Sequence, residues 1–212
     1  KQGKIIAVKG IGGYHLAVDA RNEAAVSRLR QKKHRYGKPL AVMMLNTTEV
    51  EKYCEISISE RQILESQAAP IVLLKRRKGG APLAYSLTKG LDTLGVMLPY
   101  TPVHKTLMEK LGFPLVITSG NISDEPICIC EEEAHSRLKN VADGFLHHDR
   151  PILNRIDDSV CFFAAAGVRM VRRSRGFANA PIMLDTPSKP VLACGAFYKN
   201  TFCLFDDNKA YV

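Results

Sequence analysis

The 212-residue sequence predicts an α+β fold with α/β-type layers, in which a twisted mixed β-sheet is flanked by helices. Short apolar runs typical of strands recur along the chain, and helical segments separate only some of them. Because some strands follow one another directly, a mixed sheet is favoured over a strict βαβ repeat. Apolar residues make up 46% of the chain and charged residues 24%. That ordinary globular composition excludes a disordered, collagen-like or coiled-coil protein.

Strands are predicted where short apolar runs are bounded by turn residues. The first two, at 5–8 and 14–18, flank the glycine-rich turn Lys9-Gly10-Ile11-Gly12-Gly13. The others are predicted at 39–45, 70–74, 94–98, 114–118, 159–164 and 168–172. The glycine-rich turn has neither the Walker spacing nor the GxGxxG spacing, and taken alone it more often indicates a tight turn than a phosphate-binding loop.

Helices are predicted from capping residues and from apolar residues at helical spacing. The predicted caps are Asn22 for a helix to about residue 33, Thr47 and Ser59 for two further helices, and Thr101 with Pro102 for a helix to about residue 111. Ser59-Glu60-Arg61-Gln62 fits a capping box. In the first helix, Ala25, Val26 and Leu29 share one face. A last helix is predicted over 131–139.

Three segments are predicted along the chain. Residues 1–178 are predicted to form the main domain. Residues 179–190 carry three prolines and are interpreted as a linker. Residues 191–212 contain two strand-like runs with a turn at Asp207-Asn208, and are interpreted as the first hairpin of a further domain.

Positive charge is concentrated in three clusters. Lys and Arg number 30 against 21 Asp and Glu, which gives a formal net charge of +9. Fourteen of the basic residues fall within 28–38, 75–78 and 169–175. Each cluster alone is more typical of a solvated surface, but all three follow or flank a strand, where α/β proteins place ligand sites. Converging cations suit an anionic ligand, either a nucleotide or a nucleic-acid backbone. The absence of Trp and the 7% aromatic content disfavour recognition of single strands by base stacking.

Two polar pairs are candidates for ligand contacts. Ser119 and Asn121 flank a glycine at the end of a predicted strand, a pattern that fits a capping turn and a ligand site equally well. Asp157 and Asp158 follow Arg155 and could hold a magnesium ion, although pairing with the basic clusters is the more common arrangement.

The cysteines and histidines give little indication of a metal site. The six cysteines are irregularly spaced and include no CxxC pair, which predicts reduced, mostly structural thiols. Cys128 and Cys130 are expected to face one side of an extended strand, but no second pair lies nearby to complete a zinc site. His147 and His148 precede Asp149, yet adjacent histidines on a strand point to opposite faces.

No apolar run approaches the roughly 20 residues needed to span a bilayer. The polar start of the chain does not resemble a signal peptide, which predicts a cytoplasmic protein with no membrane partner. The absence of an initiator Met suggests a piece of something longer.

Seven motifs, in order, resemble the YrdC-like domain of the HypF carbamoyltransferases, which mature nickel–iron hydrogenases. They are Lys9-Gly-Ile-Gly-Gly-Tyr14-His-Leu, Lys33-His-Arg35 with Lys38-Pro39-Leu40, Leu98-Pro99-Tyr100-Thr-Pro102, Thr118-Ser119-Gly120-Asn121, His148-Asp-Arg-Pro-Ile152, Arg155-Ile-Asp157-Asp158-Ser159 and Arg172-Arg-Ser-Arg175-Gly176. The tail from Leu192 through Lys199 to Phe202 is similar to the start of the next domain of that family, which has an actin-like core.

This resemblance implies a YrdC-like fold and an ATP-dependent ligase reaction. Carbamate derived from carbamoyl phosphate attacks the α-phosphate of ATP, and carbamoyl-adenylate and pyrophosphate form. The following domain then passes the carbamoyl group to HypE, on the way to the cyanide ligands of the hydrogenase. The family also has an acylphosphatase domain and a zinc-finger segment, which are absent from these 212 residues.

The resemblance also suggests which residues act. The catalytic candidates are Lys9, Lys33, Arg35, Ser119 and Asn121. The candidates for binding the nucleotide are Tyr14, Lys38, Thr118, Arg155, Arg172 and Arg175. Mg²⁺ would bridge the triphosphate with few protein ligands, of which Asp157 is the candidate.

Three alternatives remain. The wider family includes threonylcarbamoyl-AMP synthases of tRNA modification, but the opening Lys9-Gly differs from the Pro-Thr type of those relatives and favours the smaller carbamate. A non-catalytic module that binds double-stranded RNA is compatible with the charge of +9. An inert fragment whose site needs further domains is the third alternative.

Overall fold

In the part of the chain that the structure describes, nine strands build the larger of two sheets. The computed structural model describes residues 2–165, 167–185, 189–195 and 201–212. The strands are β1 (Ile6–Lys9), β2 (Tyr14–Asp19), β3 (Val42–Met43), β4 (Ile71–Lys75), β5 (Thr93–Met97), β6 (Leu115–Ser119), β7 (Gly144–Leu146), β8 (Val160–Ala164) and β9 (Gly167–Arg172). Their order is β7-β1-β2-β6-β3-β5-β4-β8-β9. The pairs β1–β7, β3–β5 and β4–β8 are parallel and the other neighbours are antiparallel, which confirms the predicted mixed sheet.

Five α-helices of the described residues pack on this sheet. They are α1 (Glu23–Lys33), α2 (Thr47–Val50), α3 (Ile58–Leu64), α4 (Pro102–Leu111) and α5 (Glu131–Leu138). Asn22 and Thr101 cap α1 and α4 as predicted, each accepting a backbone N–H three residues on. In the described residues no helix has the length and apolarity needed to cross a bilayer.

Several boundaries differ from the sequence prediction. The cap of α3 is Ser57, whose side chain accepts from the backbone N–H of Glu60, so the prediction of Ser59 was wrong by two residues. Asn46 caps α2, and Thr47 is its first residue. The strand predicted at 39–45 is reduced to Val42–Met43, and β7 was missed because three residues carry too little pattern.

The core lies on both faces of the sheet. On β2, Leu16 and Val18 belong to the cluster beneath α1, whereas Ala17 packs with the cluster beneath α4. This alternation follows from the two-residue period of a strand. The predicted apolar face of α1 is buried in the first of these clusters.

A second sheet of four strands lies at the end of the chain. Its strands are β10 (Ile182–Met183), β11 (Val191–Cys194), β12 (Phe202–Asp206) and β13 (Lys209–Tyr211), in the order β10-β13-β12-β11. Asp207 and Asn208 have positive φ angles and form the predicted turn. The predicted linker is not irregular throughout, since it contains β10, which pairs with β13. Residues 186–188 of that linker and 196–200 of the tail motif lie outside the described residues. The division into domains stays a prediction.

Candidate functional site

Two cavities meet where β6 ends, and both are lined by Ser119 and Asn121. The large cavity has a volume of about 350 Å³, and its other lining residues are Lys33, His34, Arg35, Tyr36, Gly37, Lys38, Ser123 and Asp124. The small cavity has a volume of about 170 Å³, and its other lining residues are Glu125, Pro126, Ile127, Arg155, Ile156 and Asp157. Seven of the predicted site residues therefore line these two cavities, although they come from distant parts of the sequence.

Lys33 is the last residue of α1, and its side chain contacts the end of β6 and the loop that follows. Its ammonium nitrogen lies 2.6 Å from the carbonyl oxygens of Ser119 and Asn121, 2.6 Å from Oδ1 of Asn121 and 3.4 Å from Oγ of Ser119. The hydroxyl of Ser119 donates to Oδ1 of Asn121 at 2.7 Å, and Nδ2 of Asn121 donates to the carbonyl of Glu125 at 2.6 Å. Buried Lys33 thus fixes the loop after β6 and orients both polar side chains.

Arg35 presents an incompletely satisfied cation to the large cavity. Its Nη2 donates to the carbonyl of Pro39 at 2.9 Å, but its buried Nε has no hydrogen-bond partner among the described residues. Burial lowers the pKa of the Arg35 guanidinium, and the nearby charges of Arg30 and Arg172 lower it further. Lys38 is exposed and lines the same cavity. An anion bound there would satisfy a buried donor and relieve the repulsion between these cations.

Arg30 was not singled out from the sequence, yet it holds the loop that carries Arg35 and Lys38. Its Nη1 donates to the carbonyl oxygens of those two residues at 2.8 and 3.0 Å. Its Nε and Nη2 donate to the carbonyls of Ser86 and Leu87, the latter at 3.0 Å. Arg30 is buried, and burial lowers the pKa of its guanidinium. Its place within a basic cluster gave no signal that distinguished it from its neighbours.

Arg155 and Asp157 face the small cavity. Nε of Arg155 donates to the carbonyl of Ile127 at 2.8 Å, and Nη2 donates to Glu133 at 2.7 Å. These contacts hold the guanidinium plane beside the cavity. The Asp157 carboxylate has no hydrogen bond within the described part of the chain, and it lines the cavity beside Ile156.

Five predicted site residues lie outside the lining of both cavities, and three of them are Lys9, Tyr14 and Thr118. The Lys9 ammonium donates to the carbonyl of His148 at 2.8 Å. The Tyr14 hydroxyl pairs with Nδ1 of His147 at 2.7 Å, and burial raises the pKa of Tyr14 to about 12. Thr118 is buried within β6. The roles expected for these three residues stay predictions.

Arg172 and Arg175 have different surroundings. Arg175 donates to Oδ1 of Asp158 at 3.0 and 3.1 Å and to the carbonyl oxygens of residues 68 and 69 at 3.0 and 2.9 Å. Its guanidinium carbon lies 3.6 Å above the ring of Tyr100. Arg175 is therefore engaged within the protein. Arg172 is exposed, and within the described residues its side chain donates a single long hydrogen bond of 3.3 Å, to the carbonyl of Asp158.

Two buried histidines, His15 on β2 and His104 on α4, pack against each other. His15 and His104 pack edge to face at 5.6 Å between ring centroids, and the Tyr100 hydroxyl lies 3.1 Å from Nε2 of His15. Neither ring nitrogen of His104 has a hydrogen-bond partner among the described residues. Burial lowers the pKa of both histidines, that of His104 to about 3. Spacing along the sequence gave no sign of this pair.

The cysteine prediction needs correction. Cys128 is buried and Cys130 is exposed at the start of α5, because this segment is a loop rather than a strand. Within the described ranges, no group of three His, Cys, Asp or Glu side chains is arranged to hold a metal ion.

Comparisons with known proteins show to which family the chain belongs. The family model Sua5_yciO_yrdC, described as telomere recombination, matches residues 1–174. The Synechocystis carbamoyltransferase HypF is 47% identical over all of this chain, which spans 28% of that relative. The threonylcarbamoyl-AMP synthase of Mus musculus is 28% identical over 68% of this chain and 52% of its own length.

Comparison with solved structures gives the same family. Full-length HypF in its phosphate- and nucleotide-bound form superposes with a TM-score of 0.92 at 55% identity, and the match covers 99% of this chain and 33% of that one. P. abyssi Sua5 complexed with L-threonine gives a TM-score of 0.72 at 20% identity, over 82% of this chain and 51% of that one, and so shares the fold. The predicted YrdC-like fold and the resemblance to HypF are confirmed. The chain belongs to the Sua5/YciO/YrdC family.

Proposed function

We propose that this chain joins carbamate to ATP, with formation of carbamoyl-adenylate and pyrophosphate. The observation that carries the proposal is the meeting of a cation-rich cavity and a smaller cavity at Ser119 and Asn121. A nucleotide in the first and a small acid in the second would bring their reacting atoms to that shared wall. The similarity to nucleotide-bound HypF over 99% of this chain supports a nucleotide in this site.

The proposed step needs charge neutralisation more than a strong base, because both reactants are anionic. A carbamate oxygen forms a bond to the α-phosphorus, the bond from that phosphorus to the bridging oxygen breaks, and pyrophosphate leaves with the electron pair. Arg35 and Lys38 would bind phosphate oxygens, and Ser119 and Asn121 would orient the reacting groups. Such transfers depend mostly on positioning and electrostatic stabilisation. Lys33 would act by holding both polar side chains in place.

Magnesium would accompany the triphosphate. Mg²⁺ keeps several waters and takes only one or two carboxylates in phosphate sites. The absence of a three-ligand cluster in the described residues is compatible with that mode of binding. Asp157, the ligand suggested by the sequence, lines the small cavity and not the cation-rich one that would hold the triphosphate. The ion would neutralise charge on the leaving pyrophosphate.

In the longer protein, we propose that the carbamoyl group continues to HypE and then to the cyanide ligands of the hydrogenase. The acylphosphatase domain would supply carbamate from carbamoyl phosphate, and the following domain would receive the adenylate. This context rests on the similarity to HypF.

Calorimetric titration with ATP and magnesium tests the nucleotide site directly. We expect one-to-one binding that Arg35→Ala and Asn121→Ala weaken by at least tenfold. Lys32→Ala and Asn140→Ala are matched controls, because neither residue lines the large or the small cavity. Lys33→Ala is included with circular dichroism, because loss of a buried ammonium with four oxygen neighbours can disturb the fold. Carbamate-dependent pyrophosphate release is then assayed on the same variants.

Two other functions give different results in that experiment. A threonylcarbamoyl-AMP synthase, suggested by the similarity to the mouse enzyme, would release pyrophosphate with threonine and bicarbonate instead of carbamate. A module for double-stranded RNA would bind duplex RNA with a steep salt dependence and would not bind ATP. The side chains of Arg30, Lys33 and Arg175 form hydrogen bonds within the protein, so their charges do not contribute to a surface for RNA. This favours nucleotide binding over RNA binding.

A further inference from the structure

We infer that the small cavity is the carbamate subsite, in which Arg155 and Asp157 are the polar contacts and Ile127 and Ile156 set the width. The inference rests on the proposed function and deepens it by naming the residues that select the acid. The ligand class is a one-carbon acid that carries both a carboxylate and N–H donors.

The two polar side chains are complementary to that ligand. Arg155 is held by Ile127 and Glu133 through Nε and Nη2, which leaves Nη1 without a hydrogen-bond partner among the described residues. The Asp157 carboxylate likewise accepts no hydrogen bond there. A carbamate would accept from the guanidinium and donate its N–H to Asp157. A simple carboxylic acid of the same size would leave Asp157 without a donor, which is unfavourable beside an anion.

The apolar walls are fixed by the glycine-rich turn before β2. The backbone N–H of Ile156 donates to the carbonyl of Gly12 at 3.0 Å. A Cβ on Gly12 would lie 2.5 Å from the carbonyl oxygen of Ile156, and one on Gly13 would lie 2.4 Å from Cδ1 of Ile127. A side chain at position 12 would collide with the backbone of Ile156, whereas one at position 13 would displace the side chain of Ile127. Because β-branched side chains have few rotamers, these walls cannot easily move aside for a larger ligand.

The width of the small cavity would therefore select between acids of different size. Sua5 of P. abyssi, which shares the fold, has been crystallised with L-threonine. The carbamate of threonine carries a hydroxyethyl branch and a second carboxylate beside the nitrogen. In the small cavity this branch would meet the isoleucine side chains. Each carbon added to or removed from an apolar pocket typically changes discrimination by about 10- to 200-fold.

The first experiment compares two acids. ATP–pyrophosphate exchange is measured with ammonium carbamate and with L-threonine plus bicarbonate, for the wild type and for Ile127→Ala and Ile156→Ala. We expect each substitution to raise the ratio of kcat/KM for the threonine carbamate to that for carbamate by about tenfold or more. Ile58→Ala, on an exposed residue of α3, is the control and should leave the ratio unchanged. An unchanged ratio in both wall variants would overturn the inference.

The second experiment separates carbamate binding from metal binding. Asp157→Asn should raise the KM for carbamate while the magnesium concentration for half-maximal exchange stays the same. A shift in the magnesium requirement without a change in KM would assign Asp157 to the metal and refute its role here.

Failure of the proposed function gives a separate result. If the wild type catalyses no exchange with either acid, adenylation is wrong for this chain. Carbamate binding is then followed directly through the amide NMR shifts of Ile127 and Ile156. Saturable shifts at these residues, lost in Asp157→Asn, would still support the subsite, and their absence would refute it.

Discussion

Arg30 is a buried cation that the protein solvates with backbone carbonyl oxygens rather than with a carboxylate. Lys33 has a similar environment of oxygens at the end of β6. Both residues stabilise backbone that carries the candidate ligand contacts. Arg35, by contrast, has a buried Nε for which the described part of the chain provides no hydrogen-bond partner beside the cavity. Burial of polar groups is costly unless they are paired, so the unpaired donor marks the place where an anion would bind.

Arg30→Met should weaken the binding of pyrophosphate by about tenfold, which corresponds to about 1.4 kcal/mol. The physical reason is that the loop carrying Arg35 and Lys38 loses two backbone anchors. Calorimetry gives the affinity, and Arg28→Met is the control because Arg28 pairs with Asp143 away from the cavities.

A double-mutant cycle distinguishes positioning from a general structural effect. If Arg30 acts through Arg35, its substitution should cost much less affinity in an Arg35→Ala background. Equal losses in both backgrounds would contradict the positioning role.

His104 should make stability dependent on pH. Its pKa is lowered to about 3 in the folded protein, whereas the unfolded chain takes up this proton near pH 6.5. The contribution of neutral His104 to the free energy of unfolding is therefore complete above pH 6.5, and it is lost as the pH decreases toward 3. Between pH 7 and pH 5 the loss should be about 2 kcal/mol, and His15 contributes in the same direction.

Urea denaturation of the wild type and of His104→Phe at the two pH values measures this effect. The phenyl ring can retain the edge-to-face packing on Tyr100, in which the ring centroids are 4.7 Å apart. The variant should lose less stability than the wild type on acidification. Parallel pH profiles would argue against a buried neutral imidazole.

At the scale of single elements, the loop after β6 is held from two helices. Lys33 at the end of α1 contacts its beginning, and Arg137 of α5 donates to Glu125 at 2.7 Å and to the carbonyl of Pro126 at 2.9 Å. Both cavities are lined by this loop, so its geometry depends on helices separated by about a hundred residues in sequence. A strand prediction can place the end of β6, but it cannot place the loop.

Ser57→Ala should destabilise the protein by about 1 kcal/mol through loss of the cap of α3. Ser59→Ala should have little effect, because Ser59 lies inside the helix and caps nothing. Chemical denaturation of the two variants compares them directly. A larger loss for Ser59→Ala would contradict the observed helix start.

At the scale of the whole molecule, the two buried clusters of the larger sheet contain no described residue beyond Met170. Among the described residues after 178, Ala210 is the one buried apolar side chain. Hydrogen bonds from Arg173 to the carbonyls of Ala180 and Val212 connect the second sheet to residues 1–178. The second sheet thus contributes little to the main core.

Residues 1–178 alone should therefore fold cooperatively and bind ATP like the complete chain. Removal of 179–212 should shift the Tm by only a few degrees, since little apolar surface of the main core becomes exposed. Scanning calorimetry and ATP titration of the shortened chain provide the measurement. Loss of the cooperative transition would show that the two sheets form one folding unit.

The sequence alone predicts the mixed α+β fold, most strand positions, the caps of α1 and α4, and the family motifs. These features depend on local periodicity and on residues that are neighbours along the chain. The capping serine of α3, the short strands β7 and β10 and the separation of Cys128 from Cys130 required the structure. The strands β7 and β10 form by pairing with strands that are distant in the sequence. Ser57 and Ser59, by contrast, lie so close together that the local pattern does not distinguish them.

Which cations of a basic cluster line a cavity depends on the fold. Arg30, Arg35 and Lys38 belong to one basic cluster in the sequence, but the fold buries the first against carbonyl oxygens and leaves the others at the large cavity. It also brings Arg155 to Ser119 from 36 positions away. The physical reason is that a charge is satisfied by whatever lies near it in space, and sequence spacing does not report that distance.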